Sequence, residues 1–600
     1  MKDRELRRRM HAQGAPMAAL VLCSIAWGDT PPEPHAMPAM PATVAEWAHG
    51  ARLFEGLGSF HRGVTTSSAL AQQYFDQGMR FLWAFNHDEA TRSFAEAAEL
   101  DPGCAACYWG VALTVGPNYN LPGMEQPRAR VAAEALQKAQ EQAGHVSAVE
   151  QGLIVALATR YPTAKPLDPA SLEQVTRAYA SAMRELAQRF PQDLDVQTLC
   201  AEAGMNVHAW KLWTADGQPA EGTPEIEARL ESVLARDPSH PGANHYYIHV
   251  MEASPHPEKA LAAAERLGGM MPAAGHLEHM PAHILQRVGR YEEAAEANRH
   301  GVRADRVYLA AVSPPDYYAM YFAHNYSFLA YSAAMEGRKA ETLSAVQDAV
   351  QTVPLSMELA MGGSGWGLTQ QYAALVRFGL WDELIALAPP APGSPGLSAG
   401  YLYGRGVALA ARGRLEEART ALAELRSLSA GVPEKQHLLH DVLAVAEPIV
   451  AARIAASEGQ DAEAITSLEA AVAAEDRLPY NEPSDWFFPA RHLLGAQLLI
   501  ARRPAEAERV YRADLKRNPR NGWALYGLAA ALRAQGKTGE AMRVTREFGA
   551  AWQHADVRLV ASAFWFAGPD TFSCECQRTA SGDRQTGREL LGTQHEARVD

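Results

Sequence analysis

The strongest constraint on this chain is a spacing. Two similar segments, EAERVYRADLKRNP (506–519) and EAMRVTREFGAAW (540–552), begin at Glu506-Ala507 and Glu540-Ala541, 34 residues apart. The unit recurs as GRYEEAAEANR (289–299), GRLEEARTALAEL (413–425), HDEATRSFAEAAELDP (87–102) and, more loosely, DAEAITSLEAAVAAED (461–476). Each has a turn, an acidic-alanine start and apolar residues at helical spacing, often closed by a proline that stops the helix. One helical hairpin cannot bury its own apolar stripe, whereas stacked hairpins bury a continuous one. A chain of 600 residues exceeds what a single core supports, so the spacing decides for a repeat array. No sustained two-residue alternation marks a strand. The expected fold is all-α, a helical-hairpin superhelix or α-solenoid.

Composition and charge divide the chain further. Arg7, Arg8 and Arg9 precede an apolar stretch from about Ala15 to Trp27, which reads as a signal peptide over 1–28. The expected location is therefore periplasmic or secreted. DTPPEPHAMPAMPA opens a proline-rich linker over 29–65. Two arrays follow, 66–390 and 391–555, divided at PPAPGSPGLSAG, and a polar tail over 556–600 lacks periodicity. A formal charge of −14 argues against nucleic acid. Beyond the signal no apolar run reaches the ~20 residues of a membrane helix.

Histidines carry the sharpest chemistry. In HYYIHVME, His245, His249 and Glu252 fall at i, i+4 and i+7, on one helix face. That spacing presents two imidazoles and a carboxylate to one ion, although Tyr246 stands where a zincin motif needs glutamate. His283, in GHLEHMPAHILQRVGRYEEA, follows His249 by 34 residues, with Pro281 at a helix start and His276 and His279 in the lead-in. His324 opens the next unit. The expected metal ligands are His245, His249, Glu252, His283, His279 and His324. Imidazole ligation suits copper, iron or zinc, while calcium and magnesium want oxygen. The competing reading is a structural network of imidazoles bonded to carbonyls and tyrosines.

Other candidates are weaker. Cys104-Ala-Ala-Cys107 opens a helix and reads as a local disulfide or buried thiols; Cys574-Glu-Cys576 reads as free or intermolecular thiols. His87 reads as turn packing, His208 as a possible neighbour of His249, and Arg491 as a groove cation or a partner for Glu482. Tyr246, Tyr247, Tyr317, Tyr318 and Tyr321 read as packing between helices. No GxSxG elbow or phosphate loop is present.

On these motifs the repeats resemble the tetratricopeptide family over roughly 66–555, best at 289–299 and 506–552. HYYIHVMEAS, GHLEHMPAHILQRVGRY and HNYSFLAYSAAMEGR, with FNHDEATRSF and CAACYWG, are similar to a group of large bacterial exported tetratricopeptide proteins. The resemblance implies a concave groove suited to peptides or extended ligands, and does not imply the histidines. Two functions follow as expectations. One is a metal-dependent oxidoreductase or hydrolase acting on a peptide or small molecule; the other is a non-catalytic scaffold for a protein or peptide partner.

Overall fold

Antiparallel hairpins form where the repeat predicts them. Ala69–Trp83 packs on His87–Leu100, which packs on Ala105–Thr114. At the far end Pro504–Arg517 lies between Ala490–Ile500 and Gly522–Ala534, and Thr538–Ala551 follows. The computed structural model describes residues 40–312, 318–353, 355–360 and 363–564. Among them the regular elements are helices, and an isolated bridge between Trp213 and Pro219 is the β feature. The chain is an all-α, tetratricopeptide-like solenoid. Residues 1–39 and 565–600 lie outside the described residues, and with them the signal peptide, the start of the linker, Cys574, Cys576 and most of the tail; so does Tyr317.

Close approach of three helices depends on two glycines and one ring. Phe94 sits between Gly78 and Gly110 on the flanking helices, where an added Cβ would lie 2.6 and 2.5 Å from the ring. Tyr511 is clasped the same way by Gly495 and Gly527. The turn glycine of GRYEEA, Gly289, takes φ +76°, the left-handed conformation that ends a helix without steric cost.

The buried apolar side chains form two large masses. One runs from Val44 to Tyr321 and the other from Ala334 to Ala563. A smaller cluster of Tyr291, Tyr331, Met335 and Phe487 lies at the seam. Residues 40–65 pack on the first mass through the helix Val44–Ala48, whose Trp47 is fully buried, and through Gln77, which accepts from the Phe54 amide and donates to the Arg52 carbonyl. At the other end Asp556 accepts from the amides of Lys339 and Ala340 and so caps the helix Lys339–Thr352. No described helix is long and apolar enough to cross a membrane.

Candidate metal centre

The helix Pro241–Glu252 is buried along its whole length. Pro241 occupies its first turn, and His240 caps it by accepting from the Ala243 amide through Nδ1 at 3.1 Å. That leaves His240 Nε2 to donate to Asp195 at 3.1 Å, which fixes the ring. Two short helices, Gly275–His279 and Pro281–Arg287, follow one another through Met280, itself in the right-handed helical conformation. His276 and His279 therefore stand on a helix of their own, not in a lead-in. Met280 keeps the helical turn, so Pro281 meets the chain as a first-turn residue of the second segment. The helix Tyr318–Met335 delivers His324, and the loop after Asp461–Glu475 delivers Glu482.

All six expected ligands meet here. His245 and His249 rings are 4.8 Å apart, His249 and His283 5.7 Å, His279 and His283 4.7 Å, and His279 and His324 4.9 Å. The sequence reading missed two members, His276 and Glu482. Three groups result, with ligand atoms within 4.8 Å of one another: His245, His249 and His276; His279, His283 and His324; and Glu252, His283 and Glu482. A signal for the second group existed, since the HxxxH pair at 245 and 249 repeats 34 residues later at 279 and 283.

Hydrogen bonds on the outer ring nitrogens orient the imidazoles. His245 Nδ1 donates to the Trp83 carbonyl at 2.6 Å, and His249 Nδ1 donates to Glu252 Oε1 at 3.1 Å. Asn298 donates its amide nitrogen to the Ala294 carbonyl, so its oxygen must accept from His279 Nδ1, 2.7 Å away. His283 Nδ1 lies 2.9 Å from Glu252 Oε2 and 2.6 Å from Glu482 Oε2, ion-pair distances without hydrogen-bond geometry. The Nε2 atoms of His279 and His283 bond each other at 2.8 Å, while those of His245 and His249 are left for the interior. His245 Nε2, His249 Nε2 and both nitrogens of His276 are buried without a hydrogen-bond partner. Such atoms are rare in proteins, because each costs about 1–3 kcal/mol of lost solvation.

Burial governs the charges. It holds His245, His276 and His279 well below the ordinary imidazole range and lowers His324 to about 3, so these rings are neutral. Burial opposes charge on His283 too, but Glu252 and Glu482 outweigh it and raise that pKa to about 10. Glu252 is pushed up by burial and pulled down further by His249 and His283, to about 2, while burial dominates at Glu482 and lifts it to about 7.

Phe85 packs this cluster from one side. Its ring centroid lies 4.5 Å from His245, 5.5 Å from His249 and 5.8 Å from His276. It occupies a left-handed turn, φ 54°, between the helices Ala69–Trp83 and His87–Leu100. The centre borders a cavity of about 590 Å³ through His249, His276, His283, His324 and Glu482. Trp366, Tyr372, Tyr403, Trp486 and Phe487 also line it. The loop that carries Glu482 also carries Trp486, which stacks on Trp366 at 6.2 Å.

The remaining candidates go elsewhere. Arg491 pairs with Asp476 at 2.6 and 2.8 Å, not with Glu482, because Glu482 turns inward to His283. His208 lies in a 3-10 turn beside a separate cavity with Cys200 and Arg229 and does not join the cluster. His87 is the first residue of its helix and stacks on Phe85 at 5.5 Å. Cys104 and Cys107 form a disulfide at a helix start, and Cys200 is buried and free. Tyr246, Tyr247 and Tyr318 are buried among the helices, whereas Tyr321 borders the cavity and accepts from Asn120 at 2.9 Å.

No family model matches the sequence, and no curated protein matches it. Among solved structures the human IFIT1 dimer with m7Gppp-AAAA is similar at 13% identity over 74% of this chain and 90% of that one, TM-score 0.30. The APC/C hetero-tetramer Cut9-Hcn1 matches at 10% identity over 71% and 83%, TM-score 0.28. The P58(IPK) TPR domain matches at 13% identity over 86% and 99%, TM-score 0.19. At these overlaps the fold rests on the helix packing itself.

Proposed function

We propose that the protein is an exported metalloprotein whose histidine-carboxylate centre binds a first-row transition ion in the wall of a small-molecule cavity and serves a metal-dependent reaction there. Buried nitrogen lone pairs carry this reading: His245 Nε2, His249 Nε2 and one nitrogen of His276 have no hydrogen-bond partner and converge within ligand reach. A structural network leaves these three lone pairs unbonded at about 1–3 kcal/mol each, whereas one ion engages all three. Imidazole nitrogens select copper, iron or zinc over calcium or magnesium. The ligands are His245, His249 and His276, with Glu252, His279, His283, His324 and Glu482 beside them. Bound there, such an ion supplies Lewis acidity or redox chemistry to a group in the cavity.

The chain's own residues do the rest. Trp366, Trp486 and Phe487 hold an apolar or aromatic molecule against the histidines, and Glu482 stands between centre and cavity to exchange a proton with it. A volume of about 590 Å³ is the size of a small-molecule site, which favours that ligand over a folded protein partner. Export is supported by the basic and apolar N-terminus and by the Cys104–Cys107 disulfide, a bond of oxidising compartments.

Metal analysis of protein purified without a histidine tag tests the centre. Bound copper, iron or zinc, reduced in the His245→Ala/His249→Ala variant, is the expected result, and azide should change the spectrum of the copper or iron form. A metal-free wild-type protein that takes up no ion on incubation refutes it.

A further inference from the structure

We infer that the centre holds two ions, one on His245, His249 and His276 and the other on His279, His283 and His324, with Glu252 tying the two sites together. This rests on the metal reading above and divides it.

The division follows from ligand number and direction. Six imidazoles are more than one first-row ion takes from a protein, since such sites use three or four protein ligands. The six fall into two groups that share no residue, each with ligand atoms within 4.8 Å of one another. Both groups are built alike. An HxxxH pair presents two imidazoles from successive turns, within one helix for the first pair and across the Met280 junction of two short helices for the second, and a third histidine joins from another helix: His276 for the first pair, His324 for the second.

In the second group the Nε2 atoms of His279 and His283 face each other at 2.8 Å. Asn298 already receives the His279 Nδ1 proton, and the two carboxylates face His283 Nδ1. One proton lies between the two Nε2 atoms as a hydrogen bond, and an ion that displaces it meets both lone pairs at one point. Two nitrogens bound at about 2.05 Å to one ion lie about 2.9 Å apart at a right angle and about 3.3 Å apart at the tetrahedral angle, so a shift of a few tenths of an ångström suffices.

Glu252 completes the pattern. Oε1 accepts from His249 of the first group and Oε2 lies against His283 of the second, so one buried carboxylate orients a ligand in each site. Glu482 adds a second carboxylate at His283. Two carboxylates at one buried locus offset half of the charge that two divalent ions would bring.

Stoichiometry tests the division separately from the metal reading. Tag-free full-length protein is stripped with chelator, titrated with Zn²⁺ against a chromophoric competitor, and analysed by mass spectrometry of the intact chain and by elemental analysis. Two ions per chain are expected. The His245→Gln/His249→Gln and His279→Gln/His324→Gln variants should each keep one, with unchanged helical circular dichroism. Saturation of the wild type at one ion overturns the two-site assignment and leaves the single-ion centre standing. Loss of all metal from both folded variants does the same. No binding by the wild type overturns both. The wild-type titration decides the matter even if a variant fails to fold.

Discussion

Phe85 offers a prediction in which sign and size both follow from geometry. The ring is buried and touches His245, His249 and His276, so truncation to alanine should cost about 3–5 kcal/mol, as large core truncations do. The backbone at this position is left-handed, φ 54°. A residue with a Cβ pays about 1–2 kcal/mol there that glycine does not, set against roughly 0.5–1 kcal/mol for glycine's greater freedom in the unfolded chain. The Phe85→Gly variant should therefore be more stable than Phe85→Ala by about 1 kcal/mol, the reverse of the order in a helix. Hydrogen exchange on the amides of Pro241–Glu252 and His87–Leu100 reads this locally, which suits an array whose repeats need not unfold together. Opening should be roughly fivefold less frequent in the glycine variant. Equal exchange in the two variants, or slower exchange in alanine, would refute the left-handed turn as the device that aims the ring.

Other perturbations address the site's support and the stack. Asn298→Leu removes the acceptor that fixes His279, and zinc affinity at the second site should fall by about 10–100-fold while the first is unchanged, as competitive titration would show. Asp305, fully buried, has a carboxyl pushed up to about 7 by burial against the hydrogen bonds of Tyr318 and Asn325. The folded state holds this proton more tightly than the unfolded one, so stability should fall from about pH 4 to pH 7, by no more than about 4 kcal/mol in all. Denaturation midpoints across that range should decline in the wild type and flatten in Asp305→Asn. Gly527→Ala drives a methyl into the Tyr511 ring and should destabilise the C-terminal repeats by about 1–3 kcal/mol, seen as exchange confined to that end. Export predicts a mature N-terminus near residue 28 in the extracytoplasmic fraction; an intact Met1 in the cytosol would contradict it.

Periodic elements were the legible ones. The 34-residue spacing and the acidic-alanine starts specify hairpins locally, so helices such as Tyr291–Ala311 and Pro504–Arg517 lie where the repeat puts them. Helical spacing also placed His245, His249 and Glu252 on one face, because that relation depends on one helix alone. His276 was less legible: its helix is five residues long and ends against a proline-led segment, so periodicity has no length to show itself. Glu482 was not legible. Its sequence neighbour Arg491 is an obvious partner, and only the path of the loop between Asp461–Glu475 and Ala490–Ile500 turns it toward a histidine far upstream. His208 failed for the same reason in reverse, since a 3-10 turn carries it away from the helix beside it.

The course of that loop gives Glu482 one more consequence. The residue belongs to the C-terminal part of the chain, yet its carboxylate lies against His283 in the N-terminal part. A ligand that engages both closes a circuit of about two hundred residues, and its binding energy becomes energy of chain closure in the way a cross-link's does. Chelation would then loosen the array first at this junction rather than at its ends. Trp486, on the same loop, would sense the release.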